Sequence, residues 1–220
     1  MNNDQMQRTP EWYAARAERF TSSAIYKLRP SRGSMRTTKT AMRYIREKVA
    51  EILTAGECID TDDSTKSMRW GTAMENEARE AYEQYTNTEV VPVGFVPYGQ
   101  RAGSSPDGLV GEDGVIEIKC PYESAIHVEN LMLATPQDVK RERNEYYFQM
   151  QMHLLATGRS WCDFVSYDPR ICNAILRISV VRIPRDEEFI AELEELITEA
   201  SDILNEELNK LYEKIRQHLR

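Results

Sequence analysis

The chain has 220 residues, and 41% of them carry apolar side chains, enough to bury one sizeable core in a single domain. Its formal net charge of -8 argues at first against nucleic acid as a partner, because a duplex is itself a dense line of negative charge. No run approaches the roughly 20 apolar residues that span a bilayer, and the opening MNNDQMQRTPEW is too polar for a signal peptide, so a cytoplasmic protein with no membrane partner is expected.

In chain order, Thr9 and Pro10 read as an N-cap and first helical residue, opening a helix to about Arg19, with a second short helix from Thr21 or Ser22. RPSRGSMRTTK reads as a mobile basic loop, on which Arg32 and Arg36 are candidates for phosphate contacts. TTKTAMRYIREKVAEIL repeats apolar residues at helical spacing, and a third helix is expected from about Met68 to Tyr85. After Asn87 the pattern shifts to short β-branched runs broken by Pro and Gly, which predicts two or three strands joined by tight turns. One helix is expected over about 137–157, then two strands, WCDFVSYDP and AILRISVVRI, and a long terminal helix with apolar positions from Ile190 to Leu211.

The expected fold is a single α/β domain over 1–220, a central mixed β-sheet flanked by helices. It divides into a helical part with a basic loop (1–87), a catalytic sheet and helix (88–182) and a closing helix (183–220). Charge is unevenly spread along it. Lys27, Arg29, Arg32, Arg36, Lys39, Arg43, Arg46 and Lys48 face a single acid, Glu47, whereas residues 186–220 hold eleven acids against four bases. A basic patch turned inward and acidic tail helices turned outward would reconcile the net charge with DNA binding. Cys58, Cys120, Cys162 and Cys172 are scattered without metal-site spacing and read as reduced structural thiols.

The stretch SSPDGLVGEDGVIEIKCPY concentrates the chemistry. Alternation along a strand puts Glu117 and Lys119 on one face and Ile116, Ile118 and Cys120 on the other, so the apolar face packs into the core while the charged face lines a cleft. GEDG is a hairpin signal that folds Asp107 back beside the second strand. Two converging carboxylates suit a hard divalent cation such as magnesium, with manganese as a substitute, and the nearby ammonium suits a phosphate oxygen or an attacking water. An exposed Asp-Gly turn with a surface Glu/Lys pair would have the same spacing.

SPDG followed by EIK resembles the signature of the PD-(D/E)XK nuclease superfamily, and EIKCPY is similar more narrowly to the phage lambda exonuclease family of alkaline, viral recombinase type exonucleases. RWGTAMENEAR, YYFQMQ and SYDPR resemble further segments of that family in the same order. The resemblance implies that Asp107, Glu117 and the carbonyl of Ile118 hold magnesium, that Lys119 orients or deprotonates water, that Glu75 completes the carboxylate cluster, and that Gln149 or Gln151 supports it. Because residues at i and i+2 of a helix do not face together, one glutamine at most is expected to reach the cluster. Arg16, Ser23 and Ser105 match the family's 5'-phosphate site, and Trp12, near Arg16, is either a core anchor or a base-stacking group. The family's pattern suggests another arginine where this chain has Ala125; His127 is the nearest titratable group.

The implied activity is 5'-to-3' exonucleolytic removal of one strand of linear double-stranded DNA as mononucleotides, leaving 3' overhangs for recombination. The implied partners are a ring-shaped homotrimer and a single-strand annealing protein, in a phage or prophage protein of a bacterial cytoplasm. An endonuclease or junction resolvase on the same core, and a catalytically silent DNA-end-binding module, remain the alternatives.

Overall fold

The structure is a computed structural model that describes residues 7–30, 32–58 and 65–218; the polar opening, 1–6, lies outside them. Helix α1 (Pro10–Arg16) starts where Thr9 accepts from the Trp12 N–H with Pro10 at the first position, and it ends three residues short of the expected Arg19. Strand β1 (Phe20–Thr21) and a 3-10 helix (Ser22–Leu28) follow. The basic loop is pinned by a 3-10 turn, Met35–Thr37, because Met35 is fully buried. Helix α2 (Lys39–Leu53) buries Ala41, Tyr44, Ile45 and Val49, and α3 (Lys66–Thr86) runs from a Thr65 cap to Asn87 in the left-handed conformation.

Five short strands then occupy the segment expected to hold two or three: β2 (Val90–Val91), β3 (Val96–Tyr98), β4 (Ala102–Ser104), β5 (Gly108–Val110) and β6 (Gly114–Lys119). Next come α4 (Ser124–Leu131), α5 (Pro136–Glu142), α6 (Asn144–Thr157), β7 (Trp161–Tyr167), β8 (Ile178–Pro184) and α7 (Glu187–His218). The expected helix over 137–157 is two helices, broken at Arg143, whose φ of -132° and ψ of 49° are not helical. The first residues of AILRISVVRI form a 3-10 turn, Ala174–Arg177, before β8 begins.

The main sheet runs β2-β5-β6-β7-β8 and is mixed: β6 and β7 are parallel and every other pair is antiparallel. A second, smaller sheet, β1-β4-β3, was not foreseen. The GEDG hairpin forms between β5 and β6, with Gly111 at φ +53°. At the start of β6, a side chain on Gly114 would meet the Trp161 ring at 2.1 Å, so only glycine lets these parallel strands and their covering ring approach.

Both faces of the sheet are covered. Ile116 and Ile118 pack with Ala78 and Tyr82 of α3, whereas Val115, Cys162 and Phe164 join a larger core with Phe148, Met152 and the apolar stripe of α7. The charged face of β6 lies under α6 and borders a cavity, as expected, but deeper than expected, with Glu117 only 2% exposed. The charge distribution also departs from expectation. Helix α7 packs on α2, and Arg29, Arg36 and Arg46 pair with Glu192, Glu206 and Glu207. Lys48 is buried against Glu51. Three of the eight bases thus pair with the acidic helix within one chain, instead of the two facing opposite ways. Among the described residues, no helix is long and apolar enough to cross a membrane.

Candidate active site

A cavity of about 410 Å³ opens where the β5–β6 hairpin meets α1, α3 and α6, and Asp107, Glu117, Ile118, Lys119, Glu75 and Gln149 all line it. Asp107 is tied to the next strand at both ends: its N–H donates to the Ile116 carbonyl at 3.1 Å, and its Oδ2 accepts from the Ile118 N–H at 2.6 Å. Glu117 faces α6, where Oε1 meets Lys119 Nζ at 2.5 Å and Oε2 meets His153 Nε2 at 2.6 Å. Lys119 also donates to Gln149 Oε1 at 3.1 Å and lies 4.6 Å over the Tyr146 ring. Glu75 is held from two sides, by Arg8 at 2.8 Å and Arg79 at 3.3 Å.

This packing separates the two carboxylates in proton affinity. Burial, with Glu117 and Glu75 nearby, pushes the Asp107 carboxyl well above its usual range. Burial also opposes the charge of Glu117, but Lys119 and His153 more than offset it and hold that carboxyl below its usual range. Burial likewise works against the Lys119 ammonium, and Glu117 outweighs it, raising its pKa. Glu117 and Lys119 are therefore a charged pair, and the site is short of positive charge at Asp107. Cys120, at the cavity edge, is pushed up to about 12, first by burial and then by Asp107, so its thiol stays protonated and unreactive.

The donor set suits a hard cation. Asp107 and Glu117 offer carboxylate oxygens, Ile118 reaches the same cavity, and the unfavourable charge on Asp107 is the kind a bound cation relieves. Among the described residues, no group of three or more His, Cys, Asp or Glu side chains is arranged to hold a metal. Two carboxylates and one carbonyl match magnesium, which keeps several waters, better than they match zinc.

The same cavity continues to α1. Trp12 Nε1 donates to Ser105 Oγ at 3.0 Å, Arg16 reaches that oxygen at 3.3 Å, and the Arg16 guanidinium lies 4.1 Å over the Trp12 ring. Trp12 is thus buried as an anchor and also shapes the site; Ser23 stands exposed at its rim. Arg16 has no carboxylate partner among the described residues, and burial lowers its pKa.

Three candidates lie elsewhere. Gln151 is fully buried on the far side of α6, donating to the Pro184 carbonyl at 2.9 Å and accepting from the Asp186 N–H at 3.0 Å. Its helical offset from Gln149 turns it away from the cluster. Arg36 lines a separate groove on α2 and is bidentate to Glu206 at 2.7 and 2.8 Å, and Arg32 is exposed outside the cavity. His127 does not replace the missing arginine near Ala125: it is buried, bonded to Ser166 and the Leu176 carbonyl, each at 2.8 Å. Sequence reasoning missed His153, although it stands one helical turn beyond Gln149 in YYFQMQMH.

A profile of the YqaJ-like viral recombinase domain matches residues 11–160, which carry every element of this cavity except the preceding Gln7–Arg8 segment. The chain belongs to the YqaJ-like viral recombinase family. The crystal structure of the alkaline exonuclease LHK-Exo from Laribacter hongkongensis is similar, with 32% identity and a TM-score of 0.79 over 95% of this chain and 99% of that one. The same enzyme in complex with dAMP matches at 34% identity with the same TM-score and coverage. A phage-related exonuclease from Haemophilus somnus 129PT, at 15% identity and a TM-score of 0.70 over 88% and 96% of the two chains, shares the fold. No match was found among curated proteins. Family and fold together make this YqaJ-like protein a nuclease acting on DNA, a deoxyribonuclease of the alkaline exonuclease, PD-(D/E)XK type.

Proposed function

We propose that the protein is a magnesium-dependent exonuclease that removes the 5' strand of linear double-stranded DNA as mononucleotides and leaves 3' overhangs for recombination by strand annealing. The observation that carries the reading is one cavity with two differently equipped ends: Asp107, Glu117 and Lys119 at one, and at the other Arg16, without a carboxylate partner among the described residues, with Ser105 and Ser23. A guanidinium with no carboxylate beside it, backed by hydroxyls, suits a terminal phosphate. Its neighbourhood to the acidic end favours cleavage counted from a DNA end. That LHK-Exo has been crystallised with dAMP supports a mononucleotide product.

Asp107 and Glu117, with the Ile118 carbonyl, would hold the magnesium, and manganese would substitute. When bound, the cation supplies Lewis acidity at the phosphodiester and charge for the departing oxygen. Lys119, held charged by Glu117 in the metal-free site, would orient the attacking water or a phosphate oxygen, or take the water's proton once a cation draws Glu117 to itself. Gln149 fixes Lys119 from above, and Glu75 is steadied by Arg8 and Arg79 at the cluster's edge.

Work on a long duplex would be completed by a ring-shaped homotrimer and by a single-strand annealing protein that takes up the 3' strand, in a phage or prophage protein acting in a bacterial cytoplasm. The viral recombinase family supports the recombination role and phage-type origin. With Arg36 and Arg46 already paired to α7, duplex contacts fall to Arg16 and to loop groups such as Arg32. The test compares linear duplex carrying or lacking a 5'-phosphate with covalently closed circular duplex, all in magnesium. The expected result is mononucleotide release from linear DNA, faster from the phosphorylated end; equal cutting of the closed circle would favour an endonuclease or resolvase instead.

A further inference from the structure

Tyr146, Gln149 and His153 stand at i, i+3 and i+7 on α6 and present one face to β6. Residues 149 and 153 are separated by about 6 Å along a helix axis, close to the about 6.6 Å between alternate strand residues. Gln149 therefore meets Lys119 while His153 meets Glu117. Both ring nitrogens of this fully buried histidine are engaged: Nε2 with Glu117 Oε2 at 2.6 Å, and Nδ1 with the hydroxyl of Ser104 at the end of β4. A carboxylate only accepts, so Nε2 donates to Glu117; in the neutral ring Nδ1 then accepts from Ser104. The chain Ser104 to His153 to Glu117 fixes one carboxylate oxygen and leaves the other toward Lys119 and the cavity.

We propose that His153, with Ser104 behind it, is a positioning residue that orients Glu117 and thereby sets the affinity of the site for its divalent cation. The inference rests on the reading of Asp107 and Glu117 as the metal-holding pair. A histidine that merely fills the core would stabilise the fold and leave metal affinity alone, whereas a carboxylate released from its hydrogen-bonded partner binds metal more weakly.

Magnesium binding to the full chain is measured by titration calorimetry for wild type, Asp107→Asn, His153→Leu, His153→Gln and Ser104→Ala, with melting temperatures taken in chelator. His153→Leu is expected to raise the magnesium dissociation constant about 10–100-fold, as loss of other ligand-orienting partners does. His153→Gln, which returns an N–H donor within reach of Glu117, recovers most of that loss, and Ser104→Ala, one bond further from the metal-holding carboxylate, costs about 10-fold, the lower end of the same range. A lowered melting temperature with wild-type magnesium affinity in His153→Leu and Ser104→Ala overturns the inference. Should His153→Leu fail to fold, Ser104→Ala decides alone, and wild-type affinity there overturns it. If wild type itself takes up no magnesium and Asp107→Asn matches it, the metal-pair reading falls, and the inference falls with it.

Discussion

Asp107→Asn should abolish turnover and yet stabilise the metal-free protein. The amide keeps an oxygen for the 2.6 Å bond from the Ile118 N–H but removes a negative charge that burial, Glu117 and Glu75 all disfavour. Relief of one such functional-site conflict is worth about 1–2 kcal/mol, and for a chain of this size each kcal/mol moves the melting temperature by about 2–4 °C. The variant should therefore melt about 2–8 °C above wild type in chelator at pH 8. Because the folded Asp107 carboxyl is raised above its unfolded value, its contribution to wild-type stability is present in acid and lost as pH rises through the raised value. The advantage of the variant should accordingly vanish below the ordinary aspartate range and grow toward alkaline pH. Saturating magnesium should reverse the order, since a cation at 100 times its dissociation constant adds about 2.7 kcal/mol to the wild type alone. The assay is thermal melting of both proteins across pH, with chelator and with magnesium. An Asn variant that melts below wild type in chelator at pH 8, with no gain in wild type from magnesium, would refute the reasoning.

Lys119→Ala should lower the rate constant for hydrolysis by about 100-fold or more, the scale of a removed transition-state donor, while duplex affinity changes little; single-turnover kinetics beside a binding titration check this. Arg16→Ala should erase the advantage of 5'-phosphorylated over unphosphorylated ends without preventing release of mononucleotides, as read by initial rates on the two substrates. Gln151→Ala should cost about 1–2 kcal/mol, because it strips partners from two partly buried backbone groups, and leave the rate of the folded fraction unchanged; Gln149→Ala should do the opposite. Arg36→Ala should leave both stability and duplex affinity near wild type, as expected of an exposed ion pair, checked by denaturant melts and a binding titration.

Strand β6 was legible because alternation needs only one strand: Glu117 and Lys119 do share a face, and the GEDG turn does bring Asp107 beside β6. What covers that face was not legible, since the pairing of α6 with β6 is a contact between residues some thirty positions apart. Hence His153 passed as an ordinary helix residue, and the depth at which Glu117 lies in its cavity was not foreseen. Gln149 and Gln151 were equal in the motif, and only the direction of α6 against β8 separates them. The short strands β2 to β5 are two or three residues each, too brief for periodicity to count them, and Arg143 breaks a helix without the Pro or Gly that would announce it. The charge asymmetry was read correctly and placed wrongly, because the sequence shows how many arginines and glutamates there are but not that α2 and α7 lie against each other.

The central claim is that the oxygens of Asp107 and Glu117 share one hard cation with the Lys119 amine beside it. Crystals soaked in manganese, examined by anomalous scattering, test this most directly. The account predicts a single strong peak in the cavity, within about 2.0–2.3 Å of oxygens from Asp107 and Glu117, the bonding range of a small divalent cation, with the peak lost in Asp107→Asn. A protein that degrades duplex DNA in solution but shows manganese only at other residues, or none, would contradict it.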